Sequence, residues 1–549
     1  MKTASLHLSR FSSLALGACG TALLACGTQS GSSSASVSGT FSATTSDPAS
    51  AAAAPSTSTG GEETLPPALP LAEPAAPPGP EPVRWRACGH VGDRNISCAE
   101  VYVPLDHADP AGEQIAISIN RISANRAYPR RGVLLFNPGG PGESGKTVAL
   151  DFLREFDQVA PGFDVIGFDP RGVRDSGDRA CAPSLAEMLP YGSKQAAATS
   201  DFPQLEAILA EARRCADTWG PTFNKLGSNQ AVRDIDWIRQ ALGEPKLNFL
   251  GVSYGTRLGA LYAHYFPETT GAIVIDAVVA PTVDWLQEAR DTFDEQLRLT
   301  NLVLTNCESG AVEGCPTNAR ALFTDLVADA TELGLLGPVM DAWVEGISSA
   351  AAEASLLSIL QAQAATGGEW LQQVELSPSS SGSGESGLMP LATVNCIDAT
   401  AEVPTIEQID AMYAEFQAES PGFSGAILNA IMCAGWSVTR DPVPLPTATE
   451  APPLLVIGGA YDWRTPYAGA VAMTAALGNA RLLTSNHIGH AALAFGGDCA
   501  WSAMRNFFVD GVLPPEGTVC SPDTPAAEAP STDRLPSSLL GTRAGFVPR

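Results

Sequence analysis

Apolar residues in this chain fall first into short runs that alternate with helical patterns, then into helical patterns alone, and finally into short runs again. VYVPL (101–105) and QIAISINRI (114–122), the second strictly alternating, predict two strands, and the continuous runs GVLLFN (132–137) and FDVIGFD (163–169) predict central ones. Helical periodicity follows at 203–219 and at AVRDIDWIRQAL (231–242). Then come the strand pattern LNFLGVS (247–253), a helix that Pro267 stops, and the strand AIVIDAVV (272–279), interrupted by Asp276. Buried strands alternating with helices predict an α/β fold with a mostly parallel sheet covered on both faces.

After Pro281 the rhythm changes. WLQEARDTFDEQLRLTNLVL, ARALFTDLVADATELGLL and TIEQIDAMYAEFQ are helical, with SPSSSGSGESG (377–387) as a loop between them. PLLVIGG (453–459) and RLLTSN (481–486) restore the strand pattern, and CAWSAMRNFFVDG supplies a closing helix. A helical insertion between the sixth and seventh strands reads as a lid over a site on the sheet. The expected division is residues 83–282 and 451–549 for the sheet domain and 283–450 for the lid.

The N-terminus has its own pattern. Lys2 and Arg10 precede an uncharged apolar run, as in a secretory signal, and Leu23-Leu24-Ala25-Cys26 fits a lipoprotein-type cleavage site that would leave Cys26 lipidated. Residues 1–26 are therefore expected to be a signal segment. Residues 27–82, rich in Ser, Ala, Thr, Gly and Pro, are expected to be a disordered tether, because they cannot bury enough apolar surface to offset chain entropy. Twelve cysteines agree with export to an oxidising compartment such as a bacterial envelope or the medium. Against 32 basic residues there are 59 acidic ones, a net charge of −27, which repels phosphate backbones and weighs against a nucleic-acid partner. Any membrane contact should come through the lipid on Cys26 alone.

Chemistry concentrates at Gly251–Gly255, which reads G-x-S-x-G around Ser253 directly behind a buried-strand run. That is the pattern of a nucleophile elbow, in which a strand ends, the chain reverses through a strained serine, and a helix begins. A serine hydroxyl needs a base, and the base needs an orienting acid, in the chain order serine, acid, histidine. Of the six histidines, His7, His90 and His107 precede the serine, and His264 is committed to the helix leaving the elbow. His487 and His490 remain; His490 follows a glycine that frees its loop and is the expected base, with His487 a polar loop residue. Asp462, in GGAYDWRTP just after a strand, stands at the carboxyl edge where ligand sites of such sheets collect. The backbone N–H of Tyr254 and one from the loop NPGGPGESG (137–145) should form the oxyanion hole, Gly140 first and Gly139 as the alternative.

Three rival readings share these residues. GPGESGKT (140–147) matches the phosphate-cradling G-x-x-x-x-G-K-[ST] and lies between a strand and a helix, so a nucleotide-binding protein must be considered. It leaves the elbow, Asp462 and His490 unexplained. His487 and His490 form H-x-x-H but lack a third nearby ligand, so neither metal nor cofactor is expected. A non-catalytic binding lipoprotein on a hydrolase scaffold is the third.

Together NPGGPGESG, FDPRGVRDSG, LNFLGVSYGTRLGALYAHYFPE, GGAYDWRTP, the Gly-His of His490 and FFVDGVLPPEGTVC resemble the secreted tripeptidyl-aminopeptidase-like α/β-hydrolases, from about Val83 to Cys520. The resemblance implies an α/β-hydrolase fold with a helical lid and a triad of Ser253, Asp462 and His490. It also implies an enzyme that releases short peptides from free N-termini, with carboxylesterase activity on the same triad as the alternative. An aminopeptidase needs a carboxylate for the substrate ammonium, and Glu143, Glu288, Asp291, Asp294 and Glu295 are candidates. Arg174 replaces a glycine frequent in relatives. Proximity suggests the pairs Cys88–Cys98, Cys181–Cys215, Cys307–Cys315, Cys396–Cys433 and Cys499–Cys520, the last supported also by the resemblance.

Overall fold

The computed structural model describes residues 79–177, 217, 220–347, 352–373, 388–427, 430, 433 and 439–521. The signal segment with Cys26, nearly all of the tether, the helical pattern at 203–219 apart from Asp217, the loop at 377–387 and the pair Cys181–Cys215 lie outside the described residues.

Each short apolar run of the first region becomes a strand. β1 (Arg86–Val91) and β2 (Arg94–Pro104) form an antiparallel hairpin, followed by β3 (Gln114–Ile122), β4 (Gly132–Asn137) and β5 (Phe163–Phe168). β6 (Leu247–Val252) and β7 (Thr270–Asp276) follow, and after a long helical excursion β8 (Leu454–Tyr461), β9 (Ala480–Ile488) and β10 (Val519–Cys520) complete the sheet. The order is β1-β2-β3-β5-β4-β6-β7-β8-β9-β10. From β5 to β10 all neighbours are parallel, while β3 is antiparallel to β2 and β5. The two end strands escape sequence reading. β1 is exposed along nearly its whole length, so no apolar period marks it, and β10 has two residues.

Both faces are covered. On one, α3 (Ser228–Ala241) and α4 (Gly255–Tyr265) pack Ile235, Ile238, Leu258 and Leu261 against Phe249 and Ile275 of the sheet. On the other, α1 (Gly145–Asp151), α2 (Leu153–Val159) and a C-terminal helix at Gly497–Asp510 enclose Phe136, Phe156, Leu250 and Ile457. Both clusters need the middle of the sheet, so a Phe249→Ala change there should cost about 3–5 kcal/mol.

Between β7 and β8 the chain is helical: α5 (Trp285–Glu308), α6 (Ala319–Glu332), α7 (Leu336–Ile347), α8 (Ala352–Thr366), α9 (Leu388–Asp398) and α10 (Ile406–Glu419). Asp284 caps α5 by accepting from Gln287 N–H, and Thr405 with Gln408 forms a full capping box on α10, the reason that T-x-x-Q starts a helix where it does. Their apolar stripes, including Phe293, Trp343 and Phe416, are continuous with the α3/α4 face of the sheet. Beyond β8 come α11 (Tyr467–Leu477), α12 (Ala492–Phe495) and α13, the Gly497–Asp510 helix. Four disulfides join Cys88–Cys98, Cys307–Cys315, Cys396–Cys433 and Cys499–Cys520. Among the described residues no helix is long and apolar enough to cross a membrane.

Candidate active site

Three strand ends meet at the carboxyl edge of the sheet. At the end of β6, Ser253 has φ +57°, a left-handed conformation costly for a residue with a Cβ, and Tyr254 returns to the right-handed region to start α4. Close packing enforces this turn. A Cβ at Gly251 would lie 2.2 Å from Gly255 O, and one at Gly255 would lie 2.5 Å from Asn137 O. The serine N–H donates to Asp276 O at 3.0 Å, fastening the elbow to the end of β7.

Asp462 is the first residue after β8, and His490 comes two residues after β9. They meet with His490 Nδ1 at 2.9 Å from Asp462 Oδ2 and 3.0 Å from Oδ1. An imidazole that gives its Nδ1 proton to this carboxylate keeps Nε2 as a proton acceptor. The carboxylate collects more donors: Thr465 Oγ1 at 2.8 Å, Arg464 N at 3.0 Å and Thr465 N at 3.1 Å. Burial pushes the Asp462 carboxyl up, but the charge and hydrogen bond of His490 and the bonds from Thr465 outweigh it, and the net shift is downward. The buried acid is held as the anion.

The loop expected to supply an oxyanion donor lies against the elbow. A Cβ on Gly139 would come within 2.7 Å of Ser253 Cβ and 3.0 Å of Tyr254 N. The Gly139 N–H is already given to Asn137 Oδ1 at 3.1 Å, whereas the N–H groups of Gly140 and Tyr254 have no partner among the described residues. Two unpartnered amides from different loops are what a developing oxyanion requires. The rival reading of this loop meets a different arrangement: Lys146 Nζ donates to Ser118 Oγ and Asp175 Oδ2, each at 2.7 Å, so the ammonium that a phosphate would need is spent inside the protein.

His487 differs from its expectation as a loop residue. β9 stays paired with β8 as far as Tyr461 opposite Ile488, so His487 lies within the strand and is turned inward. Its Nδ1 meets Ser485 Oγ at 2.8 Å, its Nε2 is buried without a partner, and burial pushes its pKa down to about 4. It is a neutral core histidine. His264, on α4, spends its Nδ1 on Thr447. Of the candidate ammonium ligands, Asp294 is paired with Arg290, Glu295 with Arg298, and Asp291 accepts from Gln287. Glu143 and Glu288 are half-buried; burial lifts Glu143 to about 7 despite Arg174 and Arg464, and lifts Glu288 despite Arg257. Arg174 has φ +43°, a left-handed conformation that glycine would adopt without strain.

Sequence reasoning missed several residues. Thr465 holds the acid through both its hydroxyl and its amide, and its signal was available, since D-x-x-T places a short polar side chain where it can close a turn on the aspartate. Asp276 shows in the sequence only as a break in an apolar run. Behind the elbow, Tyr254 Oη donates to Ser228 Oγ at 2.7 Å, Ser228 donates to Asp398 Oδ2, and Arg257 pairs with the same carboxylate at 3.1 Å. No local pattern announces that network, because its members come from α3, α4 and α9.

Comparisons with known proteins agree with this fold. A family model for the alpha/beta hydrolase fold matches residues 132–301, and one for TAP-like protein matches 420–520. The tripeptidyl aminopeptidase of Streptomyces lividans is 28% identical over 490 residues, 80% of this chain and 87% of that protein. Serine protease Hip1 of Mycobacterium tuberculosis is 28% identical over 508 residues, covering 82% and 93%. Carboxylesterase B of the same organism is 28% identical over 501 residues, covering 82% and 92%. The chain is a serine hydrolase of the α/β-hydrolase fold, similar in sequence to the tripeptidyl-aminopeptidase-like branch of that fold.

Proposed function

We propose that the protein is an aminopeptidase that releases di- or tripeptides from free N-termini through an acyl-enzyme on Ser253. The observation that carries this reading is the buried His490–Asp462 pair at the ends of β9 and β8, on the sheet edge where β6 delivers Ser253 in a left-handed turn. In this mechanism His490 Nε2 takes the Ser253 proton as Oγ attacks the scissile carbonyl, and Asp462 stabilises the imidazolium. The N–H groups of Gly140 and Tyr254 receive the negative oxygen. The proton then passes from His490 to the leaving amine, and water repeats the sequence in reverse to free the peptide. The relatives named as tripeptidyl aminopeptidase and serine protease favour peptide substrates. One named as a carboxylesterase, at the same 28% identity, is the reason to keep esters as the second reading.

The helices between β7 and β8 are the proposed lid, and Glu143 and Glu288 the proposed partners for the substrate ammonium. Four disulfides support export, and lipidation of Cys26 would hold the exported enzyme at the envelope.

A fluorophosphonate probe should label the wild type and leave Ser253→Ala unlabelled; labelling of the alanine variant would remove Ser253 from the mechanism. Free tripeptide amides should be cleaved and N-blocked ones spared. Equal cleavage of both would overturn the aminopeptidase reading, and turnover of esters alone would make the enzyme a carboxylesterase. Glu143→Gln or Glu288→Gln should raise KM for free peptides while leaving ester KM unchanged.

A further inference from the structure

Asp276 is the last residue of β7 and has no exposed surface. A carboxyl group so placed costs several kcal/mol unless something meets it. Its side chain is met by two backbone amides, Ala492 N–H to Oδ1 at 3.0 Å and Leu493 N–H to Oδ2 at 2.7 Å. Both amides open α12, the short helix that follows the His490 turn, and Ala491 between them and the histidine has φ +80°, a conformation that L residues seldom hold unaided. The main chain of the same residue acts in the other direction, since Asp276 O accepts the N–H of Ser253 at 3.0 Å. One residue thus clamps the strained turns on both sides, the elbow through its carbonyl and the histidine turn through its carboxyl group. The charged or titratable groups whose fields reach its carboxyl are His490, from the turn after β9, and Asp462, from the turn after β8.

We infer that Asp276 is a positioning residue for catalysis, holding the His490 turn in register with the Ser253 elbow and contributing negative charge beside the imidazole. The inference rests on the proposed triad. It does not make Asp276 a second orienting acid, because Nδ1 of His490 is already given to Asp462. Its contribution is geometric, through two amides, and electrostatic, through proximity. A residue of purely structural importance would change the amount of folded enzyme, whereas a clamp with a charge also changes turnover per folded site and its response to protons.

The test compares wild type, Asp276→Asn and Asp276→Ala with an ester substrate, normalising rates to active sites counted by fluorophosphonate labelling. Asparagine keeps one acceptor oxygen and the shape but not the charge; alanine keeps neither. The expected result is a kcat lowered about 10-fold in Asp276→Asn and about 100-fold in Asp276→Ala, as small misplacements of reacting groups produce, with KM within about twofold of wild type. The acid limb of kcat/KM against pH should move to lower pH in Asp276→Asn, because an imidazolium without its second anionic neighbour is less favoured. If Asp276→Ala does not fold, the asparagine variant alone decides. Wild-type kcat per active site together with an unmoved acid limb in Asp276→Asn would overturn the inference, as would a loss confined to KM. These outcomes leave the triad intact. Labelling of Ser253→Ala, by contrast, would remove the triad and this inference with it.

Discussion

Adjacent parallel strands β7 and β8 both deliver a buried aspartate to the same edge of the sheet, and the turns that follow treat the two carboxyl groups in opposite ways. After β8 the chain bends back so that the hydroxyl and amide of Thr465, the amide of Arg464 and the imidazole of His490 all point at Asp462, and its pKa falls. After β7 only two amides reach Asp276, and burial lifts it to about 6. Burial is the same for both, so the number and charge of the donors decide the outcome. Asp398 behind the elbow is a third case. Burial raises it although it is met by Arg257 and by both the hydroxyl and the backbone N–H of Ser228, because one cation, one hydroxyl and one amide do not recover the hydration of a fully enclosed carboxylate.

The largest effect should come from cancelling the donor-rich case. Asp462→Asn keeps the shape but favours the wrong tautomer of His490, and kcat should fall about 10⁴-fold, measured on a chromogenic ester. A fall under tenfold would mean that His490 is oriented by something else. Next, Asp398→Ala leaves Arg257 as an uncompensated buried charge and should cost about 3–5 kcal/mol of stability in urea unfolding. Asp398→Asn should cost less than Asp398→Ala, because the amide oxygen can still accept from Ser228.

The pH dependence of stability separates Asp276 from its buried neighbour His487. The folded chain holds a proton on Asp276 below about pH 6, while the unfolded chain takes it up only near 3.8, so this group adds stability as pH falls from 6 towards 4. His487 has the opposite sign: the unfolded chain takes a proton below about 6.5 and the folded chain only near 4, so stability is lost over the same window. Each contribution is on the order of 3 kcal/mol, and in the wild type they offset. Asp276→Asn should therefore steepen the acid loss of stability between pH 6 and 4, and His487→Asn should flatten or reverse it. Parallel urea midpoints across that range in all three proteins would refute the opposition. The smallest effect is Thr465→Val, which removes one hydroxyl from an ionised carboxylate, worth about 2 kcal/mol, and should lower kcat roughly 30-fold with little change in KM. Combined with Asp462→Asn it should add almost nothing, since the group it serves is already gone.

Much of this was legible without the fold. Short apolar runs named eight of the ten strands, and the change to helical periodicity located the insertion between β7 and β8. Ser253, Asp462 and His490 were reached by local pattern, chain order and elimination, because an elbow needs small neighbours that only glycine supplies. Four of the five cysteine pairs suggested by short separation are formed, Cys499–Cys520 being implied also by the resemblance, since short loops keep partners close. The misses have separate causes. β1 has an exposed edge with no apolar period, and His487 became a strand residue because pairing with β8 outlasted the propensity of its own segment.

Read alone, the chain yields the order of most strands and helices, the class of chemistry, and the residues proposed to carry it, because periodicity, turn sterics and nucleophile activation are local requirements. Only the tertiary structure decided how each ionisable group behaves. Asp276, Asp398 and Asp462 are the same residue type in similarly apolar surroundings, yet one carboxyl is lowered and two are raised. For Asp462 the nearby donors, Arg464 and Thr465, are local, but the imidazole of His490, the amides on Asp276 and the partners of Asp398 come from distant segments. An electrostatic environment summed over such neighbours has no signature in any one of them.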